Sequence, residues 1–326
     1  MILITGGAGY IGSHCVLEFI KDHNVVVFDN FLTGNIETIE VLKNISSNIE
    51  FFEGDLKNIH DIKRVFEKYN FEAVIHFAGL SSVEDSFLEE KKYFENNVLG
   101  TKNLLDVMIQ QNVLKFIFSS SAAIFGEPKY LPIDEKHPEN PINPYGKTKL
   151  EIEKLLKEYD KKYNLKSISL RYFNVIGGDN FLRIGEKHKN ETHLIPNILK
   201  SVILNEKIKI YGNDYQTKDK TAIRDYIDVS DLILAHRLAF EYLKKNNKTD
   251  NFNLGSQKGY SIKEIISTIE DIIKVKVNFE YYPKRQGDVA ILIADSKKIE
   301  KVLGWKPEKT LFESIKTSFE WQKKII

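Results

Sequence analysis

The sequence predicts an α/β protein, with a doubly wound parallel sheet and a smaller mixed α/β C-terminal domain. Two observations predict it. Through the first half, short runs of Val, Ile and Phe alternate with amphipathic segments, whereas after residue 174 this regularity fails. Near-continuous apolar runs are typical of strands buried on both faces. Strands that alternate with helices in this order indicate a parallel sheet.

Each element of the first half has its own signal. The predicted helices have apolar residues at helical spacing and cover 58–69, 97–111 and 145–163. The predicted strands are rich in branched and aromatic residues and cover 2–5, 25–28, 49–55, 73–79, 116–121 and 167–173.

The second half contains shorter and more mixed elements. Residues 179–193 are polar and contain glycines, and 213–221 has the composition of a loop. Strand-like runs follow at 207–212, 251–255 and 277–282. We therefore expect a first domain at 1–175, to which about 222–256 returns, and a second domain made mainly of 176–326.

Composition excludes several functional classes. The net charge is +1, from 47 basic and 46 acidic residues, so no overall field attracts nucleic acid or an anionic membrane. The single cysteine, Cys15, excludes an internal disulfide. We see no secretory signal and no apolar run of membrane-spanning length, and we expect a cytoplasmic protein with no membrane partner. No metal site is expected.

A glycine motif follows the first strand and opens a helix. Gly6, Gly9 and Gly12 in "ILITGGAGYIGSH" allow a tight turn and a close backbone approach to a pyrophosphate, which the helix N-terminus then faces. The second strand ends in Asp29, about 20 residues on, where an acidic residue binds the adenine-ribose diol. This context predicts a Rossmann-like dinucleotide site. Because Asp29 would repel a 2′-phosphate and no Arg or Lys adjoins it, NAD is favoured over NADP.

Two further strands end with residues suited to the same ligand. Asp55 in "EGDL" is placed to meet the adenine, and Phe77 and Ala78 in "HFAG" to line the cofactor. For His76 and Phe77, simple packing at the strand end is an equally good interpretation.

A Tyr and a Lys stand four residues apart in "INPYGKTKLEIEKLL". Chance would supply about two such pairs, and the chain has two, Tyr145/Lys149 and Tyr281/Arg285, so the spacing alone is uninformative. The context is informative: Asn143 suits an N-cap and Pro144 the first helical position, which places Tyr145 in the first turn with Lys149 on the same face.

The motifs "TGGAGYIGSH", "DN", "HFAG", "FIFSSSA", "NPYGKTK" and "LRYFNV" resemble those of extended short-chain dehydrogenase/reductases in order and spacing. Within that group, "VIHFAGL", "IYGNDYQTKDKTAIRDYIDV", "NLG" and "RQGD" resemble the UDP-glucose 4-epimerase family over essentially the whole chain. The branch that also acts on UDP-N-acetylhexosamines is included in this resemblance.

The resemblance implies an isomerase of galactose and carbohydrate metabolism. Tyr145 would remove the proton from the sugar 4-hydroxyl, NAD would take the C4 hydride to give a 4-keto sugar, and hydride return to the other face would invert C4. Ser121 would orient the hydroxyl, although the pattern alone does not separate it from Ser120. Lys149 would hold the nicotinamide ribose, and with the nicotinamide charge it would lower the pKa of Tyr145 from about 10 towards 7.

The resemblance also extends to ligand contacts. Besides Tyr145, Lys149 and Asp29, the expected cofactor-binding residues are Gly6, Gly9, Tyr10, Ile11, Gly12, Asn30, Asp55, Leu56, Phe77, Ala78, Gly79, Asn96, Ser119 and Tyr172. Besides Ser121 and Tyr145, the expected substrate-binding residues are Asn174, His193, Leu194, Tyr211, Arg224, Arg285, Asp288 and Leu292. The two arginines suit a diphosphate because a guanidinium fork matches phosphate oxygens.

The chain departs from the family pattern in places. Ala123 and Phe125 replace hydroxyl-bearing residues, and Ser81 stands where one branch has Lys. Leu292 occupies a pocket-wall position at which Tyr accompanies plain hexoses and smaller residues accompany N-acetylated ones as well. We therefore expect turnover of UDP-GlcNAc/UDP-GalNAc in addition to UDP-glucose/UDP-galactose.

Two alternatives stay open. One is a sugar-nucleotide dehydratase or decarboxylase of the same superfamily, although no acid pair follows Ser121. The other is a non-catalytic NAD-binding sensor, against which the intact Ser121, Tyr145 and Lys149 argue. The resemblance implies a homodimer through helices at about 97–111 and 145–163. The residues themselves add no support for the dimer, because core packing explains the apolar faces of these helices equally well.

Overall fold

A computed structural model of the protein describes residues 1–326. Its strands are β1 Ile2–Thr5, β2 Val25–Asp29, β3 Ile49–Glu53, β4 Ala73–His76, β5 Lys115–Ser121, β6 Lys166–Tyr172, β7 Asn174–Ile176, β8 Ile208–Tyr211, β9 Ile223–Asp228, β10 Asp250–Leu254, β11 Gly259–Ser261, β12 Phe279–Tyr282 and β13 Ile291–Leu292.

The helices separate and follow these strands. They are α1 Tyr10–Phe19, α2 Ile36–Ile45, α3 Ile59–Lys68, α4 Val83–Leu88, α5 Glu90–Tyr93, α6 Gly100–Gln110, α7 Pro144–Tyr163, α8 Leu194–Leu204, α9 Val229–Asn246, α10 Ile262–Ile273, α11 Lys297–Leu303 and α12 Leu311–Ile325. A π-helical segment, Phe94–Leu99, precedes α6, and a short 3-10 turn, Ala122–Ile124, follows β5.

Seven strands form the main sheet, in the order β10-β6-β5-β4-β1-β2-β3. The chain first builds outward from β1 through β2 to β3 and then restarts at β4 on the other side of β1. The pairs of β1 with β2 and with β4 are parallel. The order of strands therefore reverses between β1 and β4, and ligands bind beyond the carboxyl ends of the strands at such a point. This arrangement confirms the predicted α/β, Rossmann-like fold class.

The chain divides into two compact units. The first contains 1–126, 139–171 and 233–252, and the second contains 127–138, 172–232 and 253–326. In the first unit, β1, β2 and β4 are buried along their whole length. The apolar side chains of these strands pack with those of α3, α6 and α7 into one core, which includes Val65, Leu104 and Leu156.

The second unit is organised around β9. β11 pairs with β9 in the antiparallel direction, and β13 and β7 pair with it in the parallel direction. This unit has its own hydrophobic core, which joins residues of α8, α10 and α12, among them Ile198, Ile265 and Ile315. Helices α10 and α12 begin with capping boxes, Ser261 with Glu264 and Thr310 with Glu313, in which side chain and backbone bond reciprocally.

The predicted elements of the first half are observed within one or two residues, except that the strand expected at 73–79 already ends at His76. One element also differs in kind. The helix expected at 97–111 starts as the π-helical segment Phe94–Leu99 and becomes regular only at Gly100. The run 251–255 forms β10, which joins the main sheet beside β6. None of the helices combines the length and the apolar character that crossing a membrane requires.

Candidate active site

The glycine loop after β1 is closed so tightly that side chains are excluded from it. Gly6 has a φ of 71°, in the left-handed region, and its N–H donates to the Phe28 carbonyl at 2.9 Å. A Cβ on Gly12 would lie 2.2 Å from the Gly6 carbonyl oxygen. Gly9 is the N-cap of α1 and provides no side-chain cap. The first N–H groups of α1 are thus presented without side-chain obstruction, as an anion requires.

Asp29 ties the end of β2 to this loop. Its carboxylate accepts from the Ala8 N–H at 3.0 Å and from the Phe31 N–H at 2.9 Å. Burial raises the pKa of Asp29, and these backbone N–H groups oppose that rise. Asn30 donates to the Asp55 carboxylate at 3.2 Å, so the structure brings together three polar residues predicted to bind the cofactor.

His76, at the end of β4, has a structural role. Its Nδ1 lies 2.6 Å from Thr5 Oγ1 and its Nε2 lies 2.8 Å from Thr101 Oγ1. Burial, with a smaller contribution from the Lys149 charge, lowers the pKa of His76 to about 3, so the ring is neutral. The ring of the neighbouring Phe77 packs on His236 at a centroid distance of 4.8 Å.

The loop after β4 is fixed by a residue that the sequence analysis missed. Asn97 accepts from the Leu80 N–H at 2.8 Å and donates to the Leu80 carbonyl at 3.0 Å and to Thr148 at 3.2 Å. The predicted cofactor residue Asn96 donates to it at 3.1 Å. A Cβ on Gly79 would meet the Asn97 side chain at 3.2 Å. The π-helical segment carries this Asn, and π-bulges recur at functional sites.

Tyr145 and Lys149 lie on one face of α7, as predicted. Asn143 caps this helix by accepting from the Gly146 N–H at 2.8 Å, and Pro144 is its first residue. Lys149 is buried, and its Nζ donates to the Ser119 carbonyl at 2.8 Å. The Nζ lies 5.7 Å from the centroid of the Tyr145 ring.

Ser121, and not Ser120, joins this pair. Ser121 is the serine that acts on the Tyr145 phenol and lowers its pKa, whereas the Ser120 hydroxyl donates to Glu153 at 2.6 Å in the interior. Successive residues of a strand point to opposite faces, so only one of two adjacent serines can reach the tyrosine. The structure therefore decides between the two serines, which the sequence pattern left open.

The acid-base properties of the pair differ from the expectation. Burial raises the pKa of Tyr145, and the hydrogen bond from Ser121 opposes this rise without reversing it. Burial also lowers the pKa of Lys149 to about 8, against a raising effect of the Glu153 carboxylate. The expected lowering of the Tyr145 pKa is thus not supplied by the side chains of the chain itself.

Glu153 is a second residue that the sequence analysis missed. It stands one turn beyond Lys149 on α7 and binds Arg171, whose side chain is fully buried and whose Nε lies 2.9 Å from Glu153 Oε1. Arg171 also pairs with Glu139 and stacks on Phe125, with its guanidinium carbon 5.4 Å from the ring centroid. Phe125, one of the departures from the family pattern, is therefore a core residue here.

In the second unit, two arginines share one carboxylate. Arg224 on β9 lies 4.0 Å from Asp288, and Arg285 donates to the same carboxylate at 3.1 Å. The guanidinium carbon of Arg285 lies 4.9 Å from the centroid of the Tyr211 ring. The strand register sets Leu292 beside Arg224, and Asn174 beside Tyr226. The structure thus groups six of the predicted substrate residues around β9 or beside it.

The remaining predicted residues are placed as follows. His193 is the N-cap residue of α8 and makes no capping bond; its Nδ1 lies 2.5 Å from Glu186. Leu194 is the first residue of α8, and Tyr172 is the last residue of β6.

The sequence comparisons find matches over almost the whole chain. A family model described as GDP-mannose 4,6 dehydratase matches residues 3–318. The UDP-glucose 4-epimerase of Lactobacillus helveticus is 45% identical over 99% of this chain and 97% of its own length. The chain belongs to the UDP-glucose 4-epimerase family.

Solved structures of this epimerase family agree with the fold. The UDP-glucose 4-epimerase of Bifidobacterium longum, in complex with NAD+ and UDP, matches with a TM-score of 0.95 and 36% identity over 99% of this chain and 98% of that one. The UDP-Glc/GlcNAc 4-epimerase of Campylobacter jejuni matches with a TM-score of 0.85 and 40% identity over 99% of both chains.

The matching family model is described as a dehydratase, but the residues that follow Ser121 in this chain do not fit dehydration of a sugar. Loss of water needs an acid and a base beside the reacting sugar. Here Ala122 and Ala123 follow Ser121, and they form a 3-10 turn whose Ala123 N–H donates to the Ser121 hydroxyl at 3.2 Å. Neither alanine can transfer a proton, so this turn provides positioning alone.

Proposed function

We propose that this protein inverts the configuration at C4 of a UDP-hexose, as an NAD-dependent UDP-hexose 4-epimerase of the isomerase class. The observation that carries the proposal is the placement of Tyr145 and the buried Lys149 on one face of α7. The Lys149 Nζ lies 5.7 Å from the centroid of the Tyr145 ring and donates to the Ser119 carbonyl, and Ser121 acts on the Tyr145 phenol from the end of β5. This arrangement provides one group that can exchange a proton with a sugar hydroxyl, one that orients the hydroxyl and one cation.

The glycine loop and Asp29 fit NAD. The loop leaves the N-terminus of α1 open to a pyrophosphate, and Asp29 suits an adenine ribose that carries free hydroxyls. NAD, when bound, supplies a hydride acceptor for C4 that also returns the hydride, together with a ring charge that favours the Tyr145 anion. The neutral His76 behind the loop adds no charge to this site.

The side chains of the chain perform the proton transfers. The Tyr145 phenolate accepts the proton of the sugar 4-hydroxyl as the C4–H bond breaks, and gives it back when the bond re-forms on the other face. Ser121 holds the 4-oxygen in line with Tyr145 through both halves of the reaction. Lys149, anchored to the Ser119 carbonyl, places its cation beside the phenolate, while the lowering of the Tyr145 pKa is left to the ring charge that bound NAD would supply.

The arginines of the second unit suit the diphosphate of the substrate. Arg224 and Arg285 both approach Asp288, so a diphosphate can take over guanidinium contacts that this one carboxylate now holds. Asp288 would then be free to accept from the uridine ribose. Asn174, His193, Leu194 and Tyr211 are proposed to complete the contacts to the UDP-sugar.

Leu292 is proposed to admit N-acetylated sugars as well as plain hexoses. It is half-buried and paired in register with Arg224, so it lies beside the proposed diphosphate site. Leu lacks the phenol ring of a Tyr at this place, which leaves space of the order of an acetamido group. The similarity to the C. jejuni UDP-Glc/GlcNAc 4-epimerase supports this range of substrates.

We further propose a cytoplasmic homodimer that acts in galactose metabolism. Two apolar side chains lie at the ends of the helices that we expect to form its interface. Leu99 is 42% exposed and Tyr163 is 37% exposed. A partner would cover them. Light scattering of the purified protein should give twice the 37.7 kDa mass of the chain, and a monomer would contradict the dimer.

The test of function is direct. Purified protein is incubated, without added NAD, with each of UDP-glucose, UDP-galactose, UDP-GlcNAc and UDP-GalNAc, and the C4 epimers are separated chromatographically. We expect each sugar of a pair to form the other, with no NADH released into solution. Loss of water from the sugar would indicate a dehydratase, accumulation of NADH a net dehydrogenase, and no turnover of any sugar a non-catalytic NAD-binding protein.

A further inference from the structure

We propose that Glu186, His188, Glu191 and His193 form a binding site for one divalent transition-metal ion, with Zn²⁺ as the best-suited ion. These residues lie in the segment before α8 in the second unit. The sequence alone led us to expect no metal site, and the proposal depends on how the segment folds. It shares His193 with the proposed UDP-sugar contacts and uses no other residue of the proposed active site.

The four donor atoms already form a compact set. One atom from each residue lies within 4.8 Å of each of the others. His193 Nδ1 is 2.5 Å from Glu186 and 3.5 Å from Glu191, while His188 Nδ1 is 3.5 Å from Glu186 and 3.1 Å from Glu191. Ligands bound to Zn²⁺ at about 2.0–2.2 Å in a tetrahedron stand about 3.4 Å apart. Only small side-chain movements would therefore bring all four around one ion.

The two glutamates of the set are largely buried, and their backbone carbonyls are held in place by the surrounding fold. The side chains of Glu186 and Glu191 are only 6% and 12% exposed. The Glu186 carbonyl accepts from Trp321 Nε1 at 2.8 Å and from Gln322 at 3.1 Å, both on α12. The Glu191 carbonyl accepts from Asn197 of α8 at 3.2 Å. Ligands that are positioned in advance bind an ion at a smaller entropic cost.

The charges of the set also suit a cation. Two carboxylates lie within reach of two imidazoles, so a divalent ion would be neutralised by the glutamates and bound by two neutral imidazole nitrogens.

The mixed donor set selects the type of ion. Imidazole nitrogens favour Zn²⁺, Ni²⁺ and Cu²⁺ over Mg²⁺ and Ca²⁺, which prefer sites made of oxygen atoms. Two nitrogens and two carboxylate oxygens from one short segment suit the tetrahedral coordination of Zn²⁺. Because His193 directly precedes α8, the bound ion would fasten the start of that helix to the preceding segment.

The test uses the full chain after dialysis against a chelator. Zn²⁺ is titrated by calorimetry, and Co²⁺ is added separately to look for the intense visible bands of tetrahedral cobalt. We expect one Zn²⁺ per chain, the cobalt bands, and a melting temperature that rises with Zn²⁺. His188→Gln and Glu186→Gln should each weaken Zn²⁺ binding by about 100-fold or more.

The control variant is His60→Gln, which changes an exposed histidine of α3. It should bind Zn²⁺ as the unchanged protein does. Equal Zn²⁺ affinity in the unchanged protein and in His188→Gln would overturn the proposal, as would equal affinity for Mg²⁺ and Zn²⁺. His188 is 25% exposed, so its variant tests the proposal even if Glu186→Gln does not fold, and circular dichroism checks each fold.

Discussion

The start of α7 and the arginine cluster beside β9 hold their side chains in different ways. Lys149 is buried and bonded to a backbone carbonyl, and Tyr145 is bonded to a serine at a strand end. Arg285, by contrast, is 39% exposed and shares Asp288 with Arg224. The first region is positioned by contacts with the end of β5, and the second by exchangeable ion pairs. Chemistry requires fixed distances, whereas binding a diphosphate requires contacts that can be exchanged.

The largest effect should come from removing the proposed base. Tyr145→Phe keeps the ring but cannot accept a proton, so kcat should fall about 10³-fold for UDP-galactose, within the range of a general base. The amount of NAD that copurifies should not change. Tyr163→Phe, at the other end of α7, should behave as the unchanged protein. Retained turnover in Tyr145→Phe would show that Tyr145 is not the base, and that the fixed contacts at the start of α7 do not serve the chemistry.

Loss of an arginine from the cluster beside β9 should weaken substrate binding more than it slows the reaction. Arg224→Ala removes charge-assisted hydrogen bonds of about 1.5–3 kcal/mol, so KM for the UDP-sugar should rise about 10- to 100-fold with a smaller change in kcat. The exposed Arg64→Ala of α3 is the control. A fall in kcat with an unchanged KM would mean that this region also positions the reacting atoms.

Leu292→Tyr tests the wall of the proposed sugar site. The added ring should occupy the space for an acetamido group, and kcat/KM for UDP-GlcNAc and UDP-GalNAc should fall about 10-fold or more. The value for UDP-glucose and UDP-galactose should stay within about two-fold. An equal loss for both pairs would indicate a general disturbance of β13.

The smallest effect is a shift in pH dependence. The Glu153 charge raises the pKa of Lys149, which burial holds at about 8, so Glu153→Gln should lower it further. The mechanism uses the Lys149 cation, which is lost as the pH rises through the Lys149 pKa. In Glu153→Gln this loss of activity should therefore begin at a lower pH than in the unchanged protein, and the activity near pH 6 should change little. Glu151→Gln, exposed on the same helix, should leave the pH profile unchanged. An unchanged profile in Glu153→Gln would indicate a purely structural role.

Much of the first unit could be predicted from sequence because its signals are local. Residues 2–5 form β1 as predicted, and the glycine loop follows because a turn without side chains needs Gly6 and Gly12 whatever surrounds it. Asn143 and Pro144 likewise determine where α7 begins. The spacing of Tyr145 and Lys149 then follows from the helical repeat.

Other features depended on contacts between distant parts of the chain. Asn97 meets Thr148 across 51 residues, and Glu153 meets Arg171 on another element, so neither showed a signal in its own segment. The pKa of Tyr145 went against the expectation because burial, which depends on the whole fold, exceeds the effect of its neighbours.

The sequence by itself determined the fold class, the glycine loop and the Tyr145–Lys149 pair, because each rests on backbone geometry within a few residues. Only the tertiary structure decided that Ser121 rather than Ser120 meets Tyr145, and that Arg224 and Arg285 share Asp288. It also gathered Glu186, His188, Glu191 and His193 around one point. These arrangements depend on side-chain direction and burial, which are set by packing between elements.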